Sequence, residues 1–427
     1  MWINRDKKTK TVGKRTDMEN KKLTKLEKYW IMYDVGNSAF VMLIATIIPI
    51  YFNYLAKSAG ISEVNYLAYW GYAASVSTVI VAAIGPVLGS IADMQNYKKP
   101  LFTISMMVGV IGCAAMSFPT SWVIFLAVFV IAKVGYNASL IFYDSMLVDI
   151  TSTDRMDEVS SQGYAWGYIG SCIPFILSLV LVLMYEKIGI TMHMAMTGAF
   201  ILNAVWWAVV TIPLLRNYRQ KNYVAVPSHS VKNSFKRLGQ TFMDVHKEKK
   251  IFWYLLAFFF FIDGVYTIIE MATAYGSALG LDSTGLLLAL LVTQIVAFPC
   301  ALICAKLSGK YPTERLIGVC IVAYIGIALF AIQLDKQWEF WTLAVLVGMF
   351  QGAIQALARS YFAKIIPAEK SGEYFGIYDI CGKGASFMGT TLVGIVAQVT
   401  GVANAGVAVI AVLFVIGYIL FKKAVRA

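Results

Sequence analysis

Tyr33-Asp34-Val35-Gly36-Asn37-Ser38-Ala39-Phe40 lies near the start of the first long apolar run, residues 29–56. At about 1.5 Å rise per residue, a helical run of that length crosses a hydrocarbon core of about 30 Å. Asp34, Asn37 and Ser38 stand at i, i+3 and i+4 and so share one helix face. A charge at the bilayer centre costs roughly 2.5–3.5 kcal/mol on insertion scales, so a spanning helix keeps a carboxylate only where protein or water receives it. The octapeptide therefore predicts a membrane helix with one polar face, turned to an interior that other helices must build.

The rest of the chain supplies those helices. Of its 427 residues 59% are hydrophobic and 14% charged, and the mean hydropathy is +0.68. A soluble domain carries about 25% charged residues, so a soluble globular protein is excluded. Twelve apolar segments follow one another: 29–56, 65–92, 100–119, 122–149, 164–186, 194–215, 252–279, 285–307, 315–334, 338–363, 374–399 and 402–421. The pattern predicts an all-α polytopic membrane protein of twelve transmembrane helices in two pseudo-symmetric six-helix halves. Its parts are a tail over 1–28, a first half over 29–215, a linker over 216–251 and a second half over 252–427. The apolar run after the tail is too long for a signal-peptide core and has no small-residue cleavage site, so the first helix is expected to be retained.

Charge fixes the expected orientation. Lys and Arg gather in 1–28, at Lys98 and Lys99, at Arg155, from Arg216 to Lys250, from Lys306 to Arg315, at Lys364 and Lys370, and at the C-terminal end. The opposite loops hold Lys57, Lys187 and Lys336. By the positive-inside rule both termini belong in the cytoplasm, with the protein in the plasma (inner) membrane. The net charge of +12 follows from this asymmetry and needs no nucleic-acid partner. Within the linker, Val231, Phe235, Leu238, Phe242 and Val245 recur at helical spacing between lysines, which reads as an amphipathic helix on an anionic leaflet; the alternative is a mobile linker.

The halves echo each other. Pro86 and Pro299 end the second helix of each half, Asp144 and Arg359 the fourth, and Gly170 and Gly382 lie in the fifth, at nearly constant offset. Parallel repeats of this kind are a transporter feature.

Ionisable residues well inside segments are Asp34, Lys133, Asp144, Asp263, Glu270, Arg359, Asp379 and Lys383, on segments 1, 4, 7, 10 and 11. Facing lipid, they would together cost on the order of 24 kcal/mol. These five helices are therefore expected to surround a cavity, and the charge-free segments 3, 6, 9 and 12 to lie outside. Counted from the flanks, Lys133, Asn137, Asp263, Gln351 and Lys383 fall near the midplane, where transporters bind substrate. Asp34, Asp144, Arg359 and Asp379 fall nearer the cytoplasm, and Glu270 toward the outside. Gln351, Gln355 and Arg359 form one stripe, as do Lys133, Asn137 and Asp144, and Asp263, Thr267 and Glu270. The candidate substrate residues are thus Asn37, Lys133, Asn137, Asp263, Gln351, Gln355 and Lys383. The candidate coupling carboxylates are Asp34, Asp263 and Glu270, and the candidate gate is Asp144, Arg359 and Asp379. Three alternatives stand beside these roles: Asp379 and Lys383, at i and i+4, neutralise each other; Asp144 and Arg359 form a static pair; Asp34 and Asp263 serve only as structural hydrogen-bonding groups. Trp30, Trp70, Trp122, Trp253, Trp338 and Trp341 read as interfacial anchors.

Gly89-Ser90-Ile91-Ala92-Asp93-Met94-Gln95-Asn96-Tyr97-Lys98-Lys99 follows segment 2. It resembles the major facilitator signature, with Met94 where a basic residue is usual and Asn96 where a glycine is usual. The resemblance implies gating roles for Gly89 and Asp93, the carboxylate bracing the cytoplasmic end of helix 11 when that side is closed. Lys306 stands at the position of Asp93 in the second half, so the brace is not expected to be duplicated. Over nearly all twelve helices the chain resembles the vacuole-effluxer-like branch of that superfamily. The carriers are Tyr33-Asp34 with Asn37-Ser38-Ala39-Phe40, Tyr143-Asp144-Ser145 with Asp149, and Gly163-Tyr164 with Gly167-Tyr168. They continue with Asp263-Gly264-Val265 and Gly276, Gln355 with Arg359-Ser360, and Phe375-Gly376 with Tyr378, Gly382 and Lys383. Val35-Gly36 departs from the family's more usual Trp-Ala.

The expected function is secondary transport of a small polar or zwitterionic, amino-acid-like solute by alternating access, with proton coupling through a carboxylate. The alternative is export of lipophilic or amphipathic compounds. An enzyme is not expected: there is no buried histidine cluster, Ser-His-Asp set or phosphate loop. Cys113, Cys172, Cys300, Cys304, Cys320 and Cys381 lack metal or disulfide spacing, and His193, His229 and His246 lie outside the apolar runs. No cofactor is expected. The partners are the solute, the bilayer and protons, acting on a monomer.

Overall fold

The computed structural model describes residues 22–224, 239–241, 243–278, 280–281, 283–401 and 403–427. Within them twelve helices are long and apolar enough to cross a membrane. The expected tail lies outside the described residues up to position 21, and so does the expected amphipathic helix except for Val245.

α1 covers Lys25–Ser58 and is broken at Thr46 into Lys25–Ala45 and Ile47–Ser58. The break has a local cause. Pro49 lacks the N–H that would bond the carbonyl of Ala45, and the Thr46 hydroxyl donates instead to the Met42 carbonyl at 2.5 Å. A capping box starts the helix: the Thr24 hydroxyl accepts from the Glu27 amide, and the Glu27 carboxylate accepts from the Thr24 amide. The first half continues with α2 (Glu63–Ala92), α3 (Lys98–Ala115), α4 (Trp122–Ser145, extended by Leu147–Ile150), α5 (Met156–Leu183) and α6 (Met192–Asn217). The second half is α7 (Lys249–Ala278), α8 (Ser283–Leu307), α9 (Thr313–Ile332), α10 (Gln337–Ile365), α11 (Ser371–Thr400) and α12 (Ala403–Arg426).

An even number of crossings returns the chain to the face from which it started. That face is here the terminal face, and the opposite one the distal face.

The packing repeats at a step of six helices. α1 packs on α5 and α6, as α7 packs on α11 and α12; α3 packs on α4 as α9 packs on α10. Between halves, α2 lies against α11 and α5 against α8. α3, α6, α9 and α12 make their main packing contacts within their own halves, and only the terminal-face ends of α3 and α9, at Lys98 and Thr313, bond across to the other half among the described residues. A single hydrogen bond shows the repeat at the residue level: Trp30 of α1 donates to the Tyr143 carbonyl of α4, and Tyr254 of α7 to the Ala358 carbonyl of α10.

Glycine sets the closeness of the halves where α2 crosses α11. A Cβ on Gly89 would lie 2.1 Å from the Gly372 carbonyl oxygen, and one on Gly372 2.6 Å from that of Gly89. Only two glycines allow this approach of backbones.

Candidate functional site

Arg359 of α10 is 2% exposed and is the hub of the terminal half of the molecule. Its Nη1 donates to Asp144 at 3.0 Å, its Nη2 to Asp34 at 3.3 Å, and its Nε to the Ser160 hydroxyl at 3.0 Å. Nη2 also reaches the Ser160 carbonyl at 3.2 Å. One cation of the second half thus holds α1, α4 and α5 of the first. The guanidinium lies over the rings of Trp30 and Tyr164, 4.6 and 4.5 Å from their centroids, and 5.4 Å from that of Tyr143. Arginine suits this place, because its flat, weakly hydrated cation can stack and bond in its plane together. Trp30 is not an interfacial anchor: it is fully buried, stacked on Tyr143, and serves as a wall of this cage. Gly163 makes room for the hub, since a Cβ there would meet the Asp34 carboxylate at 2.4 Å.

Toward the terminal face, two further networks join the halves. In the first, Asp93 follows the last turn of α2 and accepts the Gly372 and Glu373 amides at 2.7 and 2.8 Å, at the N-terminus of α11. The helix dipole and two free N–H groups favour an acceptor there. Buried Lys98 lies between Asp93 at 3.9 Å and Asp149 at 3.5 Å and donates to Ser371 at 2.8 Å. Asp149 in turn accepts from Tyr218 at 2.5 Å and from the Asn222 amide at 2.8 Å. Burial pushes the Asp93 carboxyl up to about 7, against the opposing pull of Lys98 and the two amides; Glu373 adds to the rise. Asn96, where the signature has glycine, takes φ of 67°, a left-handed conformation that asparagine tolerates better than most residues. Met94 is buried and bridges to Val224 at the start of the linker.

The second network was not expected. Asp157, in the first turn of α5, accepts from Lys364 at 2.6 Å, Ser360 at 2.6 Å and Thr313 at 2.5 Å. It ties α5 to α9 and α10 as Asp93 ties α2 to α11. Lys306 takes no part in it; the acid is carried by the fifth helix itself.

On the distal side of the hub the interior is polar. Gln355 donates to the Tyr168 hydroxyl and the Gln351 carbonyl, each at 3.2 Å. Lys133 sits over Phe129, and the charges of Glu270 and Lys383 act on it from the second half. Asp379 and Lys383 form an ion pair along α11. Asn37 donates to the Tyr33 carbonyl at 3.0 Å and lies 3.5 Å from Asp34. Asn137 and Gln351 are buried. Asp263 stands apart from this group: fully buried between α7 and α11, it accepts the Gly389 amide at 2.9 Å and the Thr267 hydroxyl at 3.3 Å. Its second carboxylate oxygen has no hydrogen-bond partner among the described residues.

The Val35-Gly36 departure is matched by the neighbouring helices. A Cβ on Gly36 would lie 3.2 Å from the Trp207 ring, and one on Gly170 2.5 Å from Val35, so each small residue receives a larger one.

Twelve spans in two six-helix halves around a charged interior are the architecture of transporters of the major facilitator class, and the relatives agree. The family described as "Vacuole effluxer Atg22 like" matches residues 24–154 and 148–426, and the chain belongs to that family. It is 41% identical, over 94% of its length and 95% of the relative's, to an uncharacterized MFS-type transporter, YxiO, of Bacillus subtilis (strain 168). It is 24% identical to autophagy-related protein 22-2 of Aspergillus niger over 61% of this chain and 49% of that one. Among solved structures, the transporter FucP in its outward conformation gives a TM-score of 0.71 at 10% identity, covering 94% of this chain and 97% of FucP. A bacterial homologue of the iron transporter ferroportin gives 0.67 at 12%, covering 95% and 99%.

Proposed function

We propose that the protein moves a small zwitterionic solute of amino-acid type across the plasma (inner) membrane by alternating access, with both termini cytoplasmic. The six-helix halves at 29–215 and 252–427 rock about the interior, joined by the linker at 216–251. The observation that carries this reading is the vertical order of charges. Arg359, with Asp34 and Asp144, bridges the halves on the terminal side, Asp379 stands at a similar height on α11, and Lys133, Lys383 and Glu270 stand further along their helices from the terminal face, so that both signs are present there. A zwitterion finds a partner for each of its charges there. Arg359 with its carboxylates, Asp93 and Asp157 then act as the cytoplasmic gate, and Gly89 lets it close.

An apolar recess lies beside Gln351, lined by Ile268, Ala272, Leu290, Phe340 and Leu343. It favours a solute with an apolar side chain, and it is also the feature that supports the second reading, export of an amphipathic compound. Protons are the proposed coupling ion, with Glu270, Asp34 and Asp263 as the carboxylates able to carry them.

The test is uptake of labelled neutral amino acids into liposomes with an imposed pH gradient. Gradient-driven accumulation that is lost in Lys133→Gln and in Glu270→Gln supports the reading. Transport of hydrophobic cations alone, or accumulation untouched by both variants, overturns it.

A further inference from the structure

An open groove of about 480 Å³ lies on the terminal face between α7 and α12, and it shares no lining residue with the gate or the chamber. That volume falls within the range of small-ligand sites, about 300–1,000 Å³. His246, Lys249, Lys423 and Arg426 line it together with Phe252, Trp253 and Ala427, so that basic side chains outnumber the single α-carboxylate of Ala427. Of the nearby acids, Asp244 is already paired with Lys370 at 3.7 Å. The Lys423 ammonium sits 3.5 Å from the centroid of the Trp253 ring, so the groove has an aromatic wall that carries a cation.

The face of α12 below the groove is apolar. Val412, Val415 and Ile419 are 56%, 42% and 62% exposed, and with Lys423 and Arg426 they follow one helical stripe. A hydrocarbon track ending in two cations at the membrane boundary has the form of a lipid: chains first, charged headgroup after. Tryptophan at that depth is the usual interfacial residue.

We propose that this groove binds one anionic phospholipid, its phosphate diester held by Lys423 and Arg426, its glycerol against Trp253 and its chains along Val412, Val415 and Ile419. The inference is independent of which solute the interior carries.

The test uses the full chain in detergent, stripped of lipid and titrated with phosphatidylglycerol, phosphatidylcholine or inorganic phosphate. Thermal unfolding and native mass spectrometry are read in parallel. Phosphatidylglycerol is expected to raise the unfolding temperature and remain bound, and the other two to do neither. Lys423→Gln and Arg426→Gln should each weaken phosphatidylglycerol binding roughly fivefold, the weight of one cation at an anionic surface. Both side chains are exposed, so the variants should fold, and the single variants carry the same reading as the pair. Lys187→Gln on the distal face is the control with unchanged binding. Affinity retained in both single variants, or an equal response to inorganic phosphate, overturns the proposal.

Discussion

Arg359 is a single buried cation facing two carboxylates, so its loss and theirs should not be equivalent. Arg359→Ala leaves Asp34 and Asp144 facing each other without a counter-charge, and breaking a buried pair in this way costs about 3–5 kcal/mol. Asp144→Asn removes one acid from a site that keeps the other, and should be milder. The sharper expectation is rescue: adding Asp34→Asn and Asp144→Asn to Arg359→Ala should recover much of the lost thermal stability, because the stranded charges are then gone. A triple variant no more stable than Arg359→Ala would assign the loss to the aromatic cage instead. Gly163→Ala tests the same hub from the steric side. Its Cβ would displace the Asp34 carboxylate, so transport and stability should both fall, whereas alanine at exposed Gly239, with open space around it, should change neither. Part of this hub was legible in the sequence. Asp144 and Arg359 announce each other by their equivalent places in the two repeats, and each is too costly to leave facing lipid. Asp34 on the same arginine was not legible, nor was the cage of Trp30, Tyr143 and Tyr164. Contacts 325 residues apart, such as Arg359 to Asp34, leave no periodic trace in the chain, and a tryptophan near a segment end looks the same whether it faces headgroups or a guanidinium.

At the scale of elements, the N-termini of α11 and α5 are each held by a carboxylate, and the two cases differ in how far they could be foreseen. The Asp93 brace follows from a short local signature whose physical sense is an acid at a helix start. The Asp157 network has no local signature, and its partners Ser360, Lys364 and Thr313 come from two other helices. The break in α1 was also missed, although Pro49 marks it; a proline three residues into a helix is tolerated, so the sequence alone leaves one long helix as an equal choice. The Asp93 brace predicts a pH dependence. Its carboxyl lies at about 7 with the halves closed, raised by burial and by Glu373, against an ordinary value of 3.8 once α11 moves away. The closed form then holds a proton that the open form has released between those values. Its added stability is complete below the ordinary value and is lost as pH rises toward about 7. Lys98 faces the same group and opposes the rise without changing this sign. Raising the pH from 5 to 7 should therefore shift the population toward the open terminal side, and Asp93→Asn should abolish that part of the shift. Labelling of a cysteine placed at Gln95 is a direct readout.

For the whole molecule, the inter-half networks that involve charged groups lie at the hub and toward the terminal face, with the neutral Gln355–Tyr168 bond on the distal side of it, which gives the closed side a layered construction. Arg359 is the inner layer, and the Asp93 and Asp157 networks are two outer ties on opposite sides of the inter-half seam. The outer ties share no residue, so substitutions in them should act independently on one equilibrium between halves. Asp93→Asn turns one of the two acceptors of the α11 amides into a donor, and Asp157→Asn weakens the pairing with Lys364 together with two hydroxyl contacts. Leaving a buried hydrogen-bonding group without its partner costs about 1–3 kcal/mol, so each variant should raise the open-to-closed ratio by roughly fivefold or more. The double variant should multiply the two factors. Spin labels at Ser58→Cys and Lys336→Cys, one on the distal end of each half, report the result by pulsed electron resonance: as the terminal side opens, the distal ends should approach. A double variant that moves the distance distribution no further than either single one would mean that Arg359 alone holds the seam. A distribution identical in all four proteins would remove the outer ties from the gate and leave them as fixed joints of a bundle that moves elsewhere.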